Sequence, residues 1–165
     1  MNTPYSDIIF PFFKRIEEDK NFFNYIGVFV EEANEIAIER AKGLLKEAIG
    51  ILMSLCESDI DFFNYDDTNE TFDFELTGRE KYLLISLMYQ QYLERDIAKL
   101  KLLDVNYTPT NLRVFDPNAA RTSFMSIYKF ICEQNEVLLD EYKNKDRLTG
   151  KYRSVNYLSY DESDE

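Results

Sequence analysis

Histidine is absent from this 165-residue sequence, and tryptophan with it. Without an imidazole the chain lacks the commonest general base and transition-metal ligand, and every histidine-dependent triad is excluded. Glycine is scarce: Gly27, Gly43, Gly50, Gly78 and Gly150 stand apart from one another, so no glycine-rich loop can cradle a phosphate. Lys and Arg total 19 against 31 Asp and Glu, a formal charge of -12. Too little positive charge remains for nonspecific binding to DNA or to an anionic membrane. Cysteine is limited to Cys56 and Cys132, both inside apolar helical patterns, where thiols behave as small hydrophobes and imply a reducing, cytoplasmic setting. Long apolar runs are missing too. The longest, Tyr82 to Tyr89, falls far short of the roughly 20 residues a membrane span needs. No basic segment followed by an apolar run opens the chain. The expectation is a protein that is neither secreted nor membrane-embedded.

What is present is an apolar content of 45% and an aromatic content of 15% from Phe and Tyr, ample for one folded domain of this length. Thr3-Pro4 reads as a helix N-cap followed by proline at the first helical position, ahead of Ile8, Ile9, Phe12, Phe13 and Ile16. Pro11 predicts a kink there or a restart as a second short helix. After a connection over 21–30, a long amphipathic helix is predicted from Glu31 to about Cys56. Its face carries Ala37, Ala41, Leu44, Leu45, Ala48, Ile49, Leu52 and Met53. Gly43 and Gly50 on this helix suggest a close neighbour, since otherwise each costs roughly 1 kcal/mol against Ala.

Thr77-Gly78-Arg79-Glu80 forms a capping box that opens a third helix. Its first turns, from Tyr82 to Tyr89, are apolar nearly all round, and its second half, Glu94 to Asp104, is mixed-charge and expected to project beyond the core. A loop with Thr108-Pro109-Thr110 leads to Leu112, Val114 and Phe115. Asp116-Pro117 then opens a fourth helix with the stripe Ala120, Phe124, Ile127, Ile131, Leu138 and Tyr142, running to about Lys145. The fold class expected is all-α, a bundle of about four helices over 1–147 with a C-terminal tail over 148–165.

Between Glu57 and Glu75 lie eight acidic residues and no basic one, interleaved with Phe62, Phe63, Tyr65, Phe72 and Phe74. Phe72, Phe74 and Leu76 alternate with Asp73 and Glu75, the period of an extended segment pressed on one side against apolar surface. That surface is either the chain's own core or a neighbouring subunit. A calcium loop built on Asp59, Asp61, Asp66 and Asp67 fits poorly, because Asn64 stands where an EF-hand needs its glycine. Glu17 and Glu18, like Glu31 and Glu32, are adjacent in sequence, point apart on a helix and cannot share a proton. Neither catalysis nor a cofactor is expected.

Three stretches together resemble the head-to-tail connector, or neck adaptor, proteins of long-tailed bacteriophages. They are Thr3-Pro4-Tyr5 with Ile8 and Ile9; Leu76-Thr77 with Glu80, Leu83, Leu84 and Met88; and Asn111-Leu112-Arg113-Val114-Phe115-Asp116-Pro117. The resemblance spans roughly residues 3 to 145. It implies a homo-oligomeric ring, usually of twelve subunits, sitting in the virion neck beneath the portal protein. Such a ring extends the channel toward the stopper and tail, so that double-stranded DNA passes without specific binding. A ring needs two different patches per subunit that join head to tail. The candidates for subunit, portal or tail contact are Phe62, Phe63, Phe72, Phe74, Tyr107, Leu112, Phe115, Tyr152, Tyr157 and Tyr160. Two alternatives are a tail-completion or baseplate component and a soluble acidic regulator that mimics DNA. The latter calls for a helical stripe of carboxylates, whereas the acids appear bunched in the connection and the tail.

Overall fold

The computed structural model describes residues 2–17, 20–23, 25, 27–106 and 117–153. Within these the chain is mostly helical: α1 (Ser6–Arg15), the single turn α2 (Lys20–Phe23), α3 (Val30–Leu55), α4 (Gly78–Asn106) and α5 (Pro117–Asn144). Three two-residue strands complete it: β1 (Thr3–Pro4), β2 (Tyr65–Asp66) and β3 (Thr71–Phe72), in the order β1-β3-β2. The all-α bundle with about four long helices is therefore the fold.

Helix α3 follows from its period. Ala33, Ala37, Ala41, Leu44, Leu45, Ala48, Ile49 and Leu52 are its buried residues, spaced by three and four so that they share one face. That face meets α4, which buries Leu83, Leu84, Leu87 and Met88, and both meet α1 through Ile8, Ile9 and Phe12. Each fully buried side chain of this size contributes roughly 1.5–3 kcal/mol. Helix α5 packs on α4.

Several expectations change. Thr3-Pro4 is a strand and not a cap, since Thr3 pairs with Phe72 and Pro4 with Thr71. The Thr3 amide donates to the Phe74 carbonyl, and the Thr3 hydroxyl accepts from the Leu76 amide. Pairing across the chain outweighs a local cap, and proline is tolerated because β1 is an edge strand. Helix α1 begins at Ser6, two residues after the expected start, and runs through Pro11 without a break. Gly43 and Gly50 face open space, with nothing within 4 Å of an added Cβ, so they admit no close neighbour. The second half of α4 does not leave the core at Glu94: Leu93 and Ile97 are buried, and Arg95 pairs with Glu47 of α3 at 2.5 Å. On α5 the buried line is Ile131, Asn135 and Leu139, while Ile127 is exposed.

The connection over 21–30 holds more core than its sequence suggested. Phe22 of α2 is buried, edge-on to Phe12, Phe13, Phe23 and Tyr92. The Arg40 guanidinium lies 4.3 Å from its ring centroid and donates to the Tyr25 hydroxyl at 2.6 Å.

Candidate interaction surface

Much of the acidic connection is tied down by local turns and by lysines of α3. Asp61 caps a turn by accepting from the Phe63 amide, and Asp66 accepts from the Thr68 and Asn69 amides and the Asn69 side chain. These are the local bonds that make Asp a turn residue. Asp67 takes Lys46 at 2.7 Å and Glu70 takes Lys42 at 2.7 Å, both lysines on α3. Bonds from Asn69 hold the Asp66 carboxyl below the usual range, and Lys46 does the same for Asp67. The Tyr5 hydroxyl, which donates to Asp67, is pushed up by burial and then by that carboxylate.

This strapping decides the fate of the candidate aromatics. Phe62 and Phe72 are fully buried and Phe74 is partly buried against the core, edge-to-face with Phe62 and tilted against Phe72. Phe62 and Phe72 pack the chain's own core and offer no surface to a neighbour, while Phe74 keeps part of its surface exposed. The period-two pattern holds, with Phe72 and Leu76 inside and Asp73 and Glu75 out. Phe63 is 54% exposed, and Tyr152 is 71% exposed. Tyr107, Leu112, Phe115, Tyr157 and Tyr160 lie outside the described residues.

At the start of α4 the capping box forms: the Glu80 amide donates to the Thr77 hydroxyl at 3.3 Å, and the Thr77 amide donates to the Glu80 carboxylate at 2.7 Å. The same carboxylate, 0% exposed, accepts from Arg147 Nε at 2.6 Å and from the Tyr142 hydroxyl at 3.1 Å. Arg147 also donates to the Glu75 carbonyl. Burial raises the Tyr142 hydroxyl to about 12. A second buried polar link joins α4 to α5, with Ser86 donating to Asn135 at 2.6 Å and Asn135 donating to Gln90 at 2.6 Å. Sequence reasoning missed both links, since neither partner of Glu80 or Ser86 is near it in the chain.

Arg147 anchors a short hairpin that follows α5. Asp146 accepts from the Thr149 amide and hydroxyl, the Gly150 amide donates to the Asp146 carbonyl, and the Arg153 amide donates to the Asn144 carbonyl. Gly150 has φ +67, a left-handed backbone conformation that favours glycine, and the Arg79 guanidinium lies against it. Arg153 pairs with Asp59 at 2.7 Å, and Lys145 lies 5.0 Å from the Tyr152 ring centroid. Residues 148–153 are thus tied back to the bundle. The hairpin turns Leu148 and Tyr152 outward, 78% and 71% exposed. Beneath it, a cavity of about 270 Å³ is lined by Thr77, Arg79, Tyr82, Leu83, Leu138 and Tyr142.

Two more apolar areas are bare. On α5, Ile127, Phe130 and Val137 are 50–58% exposed at the three- and seven-residue spacings of one helix face. At the start of α3, Phe29 and Val30 are 81% and 73% exposed. Exposed carboxylates follow at Glu31, Glu32, Glu35 and Glu39, a short helical stripe where the acids had appeared confined to the connection and tail.

Among the described residues, both cysteines are free and no group of three or more Cys, Asp or Glu is placed to hold a metal ion. No described helix is long and apolar enough to cross a membrane. No family model, curated protein or solved structure matches the chain.

Proposed function

We propose that this chain is a neck adaptor of a long-tailed bacteriophage. It is a structural, non-catalytic protein of the virion whose copies close into a ring beneath the portal and carry the DNA channel toward the stopper and tail. The observation that carries the reading is the set of large apolar side chains left bare after the core is filled: Phe29 and Val30, the α5 face, and Leu148 with Tyr152. Large apolar side chains left exposed in groups on a folded chain suit protein contact, and groups on different elements suit a head-to-tail ring. The net charge of -12 fits a channel that DNA slides through, because a basic wall would hold the duplex.

The test is direct. The purified protein, mixed with its portal and imaged by electron microscopy, is expected to give a ring stacked on the portal. Absence of association at every salt concentration overturns the assignment.

One observation favours a second reading, that of an acidic regulator mimicking DNA. It is the stripe Glu31, Glu32, Glu35 and Glu39 on α3. Glu31, Glu35 and Glu39, four residues apart, rise about 6 Å per step along the helix. The phosphates of one DNA strand rise about 3.4 Å, so the mimicry is sparse. A regulator of this kind binds a nucleic-acid enzyme and is displaced by DNA; a neck adaptor does neither.

A further inference from the structure

Among the described residues, the four most exposed large apolar ones form two pairs of opposite electrostatic character. Phe29 and Val30, 81% and 73% exposed, open α3 and are followed by Glu31, Glu32 and Glu35. Leu148 and Tyr152, 78% and 71% exposed, sit on the C-terminal hairpin beside exposed Lys151 and Arg79. None of these three glutamates and neither of these two cations has an ion-pair partner among the described residues.

The two patches sit at opposite ends of α3. The hairpin is held at the C-terminal end of that helix, where Arg153 pairs with Asp59 and the Tyr142 hydroxyl meets Ser58 at 3.0 Å. With 26 residues in α3, at about 1.5 Å each the ends lie about 39 Å apart. One patch cannot reach the other within a subunit.

Phe29 adds an independent sign. It occupies the N-cap of α3 in extended conformation with no side-chain hydrogen bond to the helix, a position where Ser, Thr, Asp or Asn stabilises by about 1 kcal/mol. A bare aromatic ring there is a loss to the isolated subunit.

We infer that the α3 start of one copy docks on the C-terminal hairpin of the next, Phe29 and Val30 against Leu148 and Tyr152, with Glu31, Glu32 and Glu35 facing Arg79 and Lys151. The occupant is a second copy of this chain, because its two bare patches are complementary in charge and lie too far apart to satisfy each other internally. The contact is heterologous, so it propagates from copy to copy and gives a ring where the rotation closes. It rests on the ring reading above and names the surfaces that make it.

The test uses charge reversal on the full chain. Glu31→Lys with Glu32→Lys makes one variant and Arg79→Glu with Lys151→Glu makes the other; each alone is expected to sediment as a monomer. Mixed in equal amounts they should associate again, because every reversed patch then meets a reversed partner. Phe29→Ser supplies a cap while removing the ring, so it is expected to abolish association without lowering the melting temperature. The contact is overturned if the unmodified protein is monomeric at millimolar concentration, if either reversal leaves association intact, or if mixing does not restore it. If the reversals behave as expected but no portal association occurs, the contact stands and the neck assignment alone fails.

Discussion

Arg147→Met probes the polar junction that fixes the C-terminal hairpin. Arg147 is 16% exposed and Glu80 is 0% exposed. Methionine keeps much of the aliphatic stem and removes the cation. The Glu80 carboxylate then remains buried with only the Thr77 amide and the Tyr142 hydroxyl as donors. Breaking a buried ion pair from one side costs about 3–5 kcal/mol. Two surviving donors place this case near 3 kcal/mol, which for a chain of this size lowers the melting temperature by about 6–12 °C. Urea denaturation followed by circular dichroism measures the loss. Adding Glu80→Gln should recover part of it, because no uncompensated charge is then left inside. A loss under about 1 kcal/mol, the size expected of a surface ion pair, refutes the reasoning.

Phe62→Ala is expected to cost about 3–5 kcal/mol in the monomer, measured by the same denaturation; a variant of unchanged stability that fails only to associate would return Phe62 to the surface. Gly50→Ala and Gly43→Ala add a methyl into open space mid-helix, so each should raise stability by up to about 1 kcal/mol. A loss in either would mean something covers that face. Asp66 and Asp67 are held below the ordinary carboxylate value, about 3.9 in an unfolded chain. Their stabilisation is therefore complete above that pH and is lost as pH falls through the lower folded values. Carboxyl titration by NMR should give midpoints for both residues under about 3.9; midpoints at or above it contradict the turn and lysine contacts.

Local patterns were the legible part of the fold. The Thr77–Glu80 capping box needs four consecutive residues and forms as read. The face of α3 repeats often enough to fix its extent within a residue at each end. What failed depended on partners distant in sequence. Thr3-Pro4 carries a local cap signal that β3 overrides, and Glu80 finds Arg147 67 residues further on. For the candidate surface, period-two spacing showed that one side of 72–76 is covered but could not say by what. Here the cover is the chain's own core, in which Phe62, Phe72 and Leu76 are buried. Phe29 and Leu148 carried no periodic signal, and only the filled core reveals them as left over.

Cryo-electron microscopy of virions whose genome encodes this chain is the decisive measurement for a ring at the head-to-tail junction. Density for the α3–α4–α5 bundle is expected to repeat around the axis between portal and tail, with the start of each α3 against the C-terminal hairpin of the next copy. A neck in which this bundle is absent contradicts it.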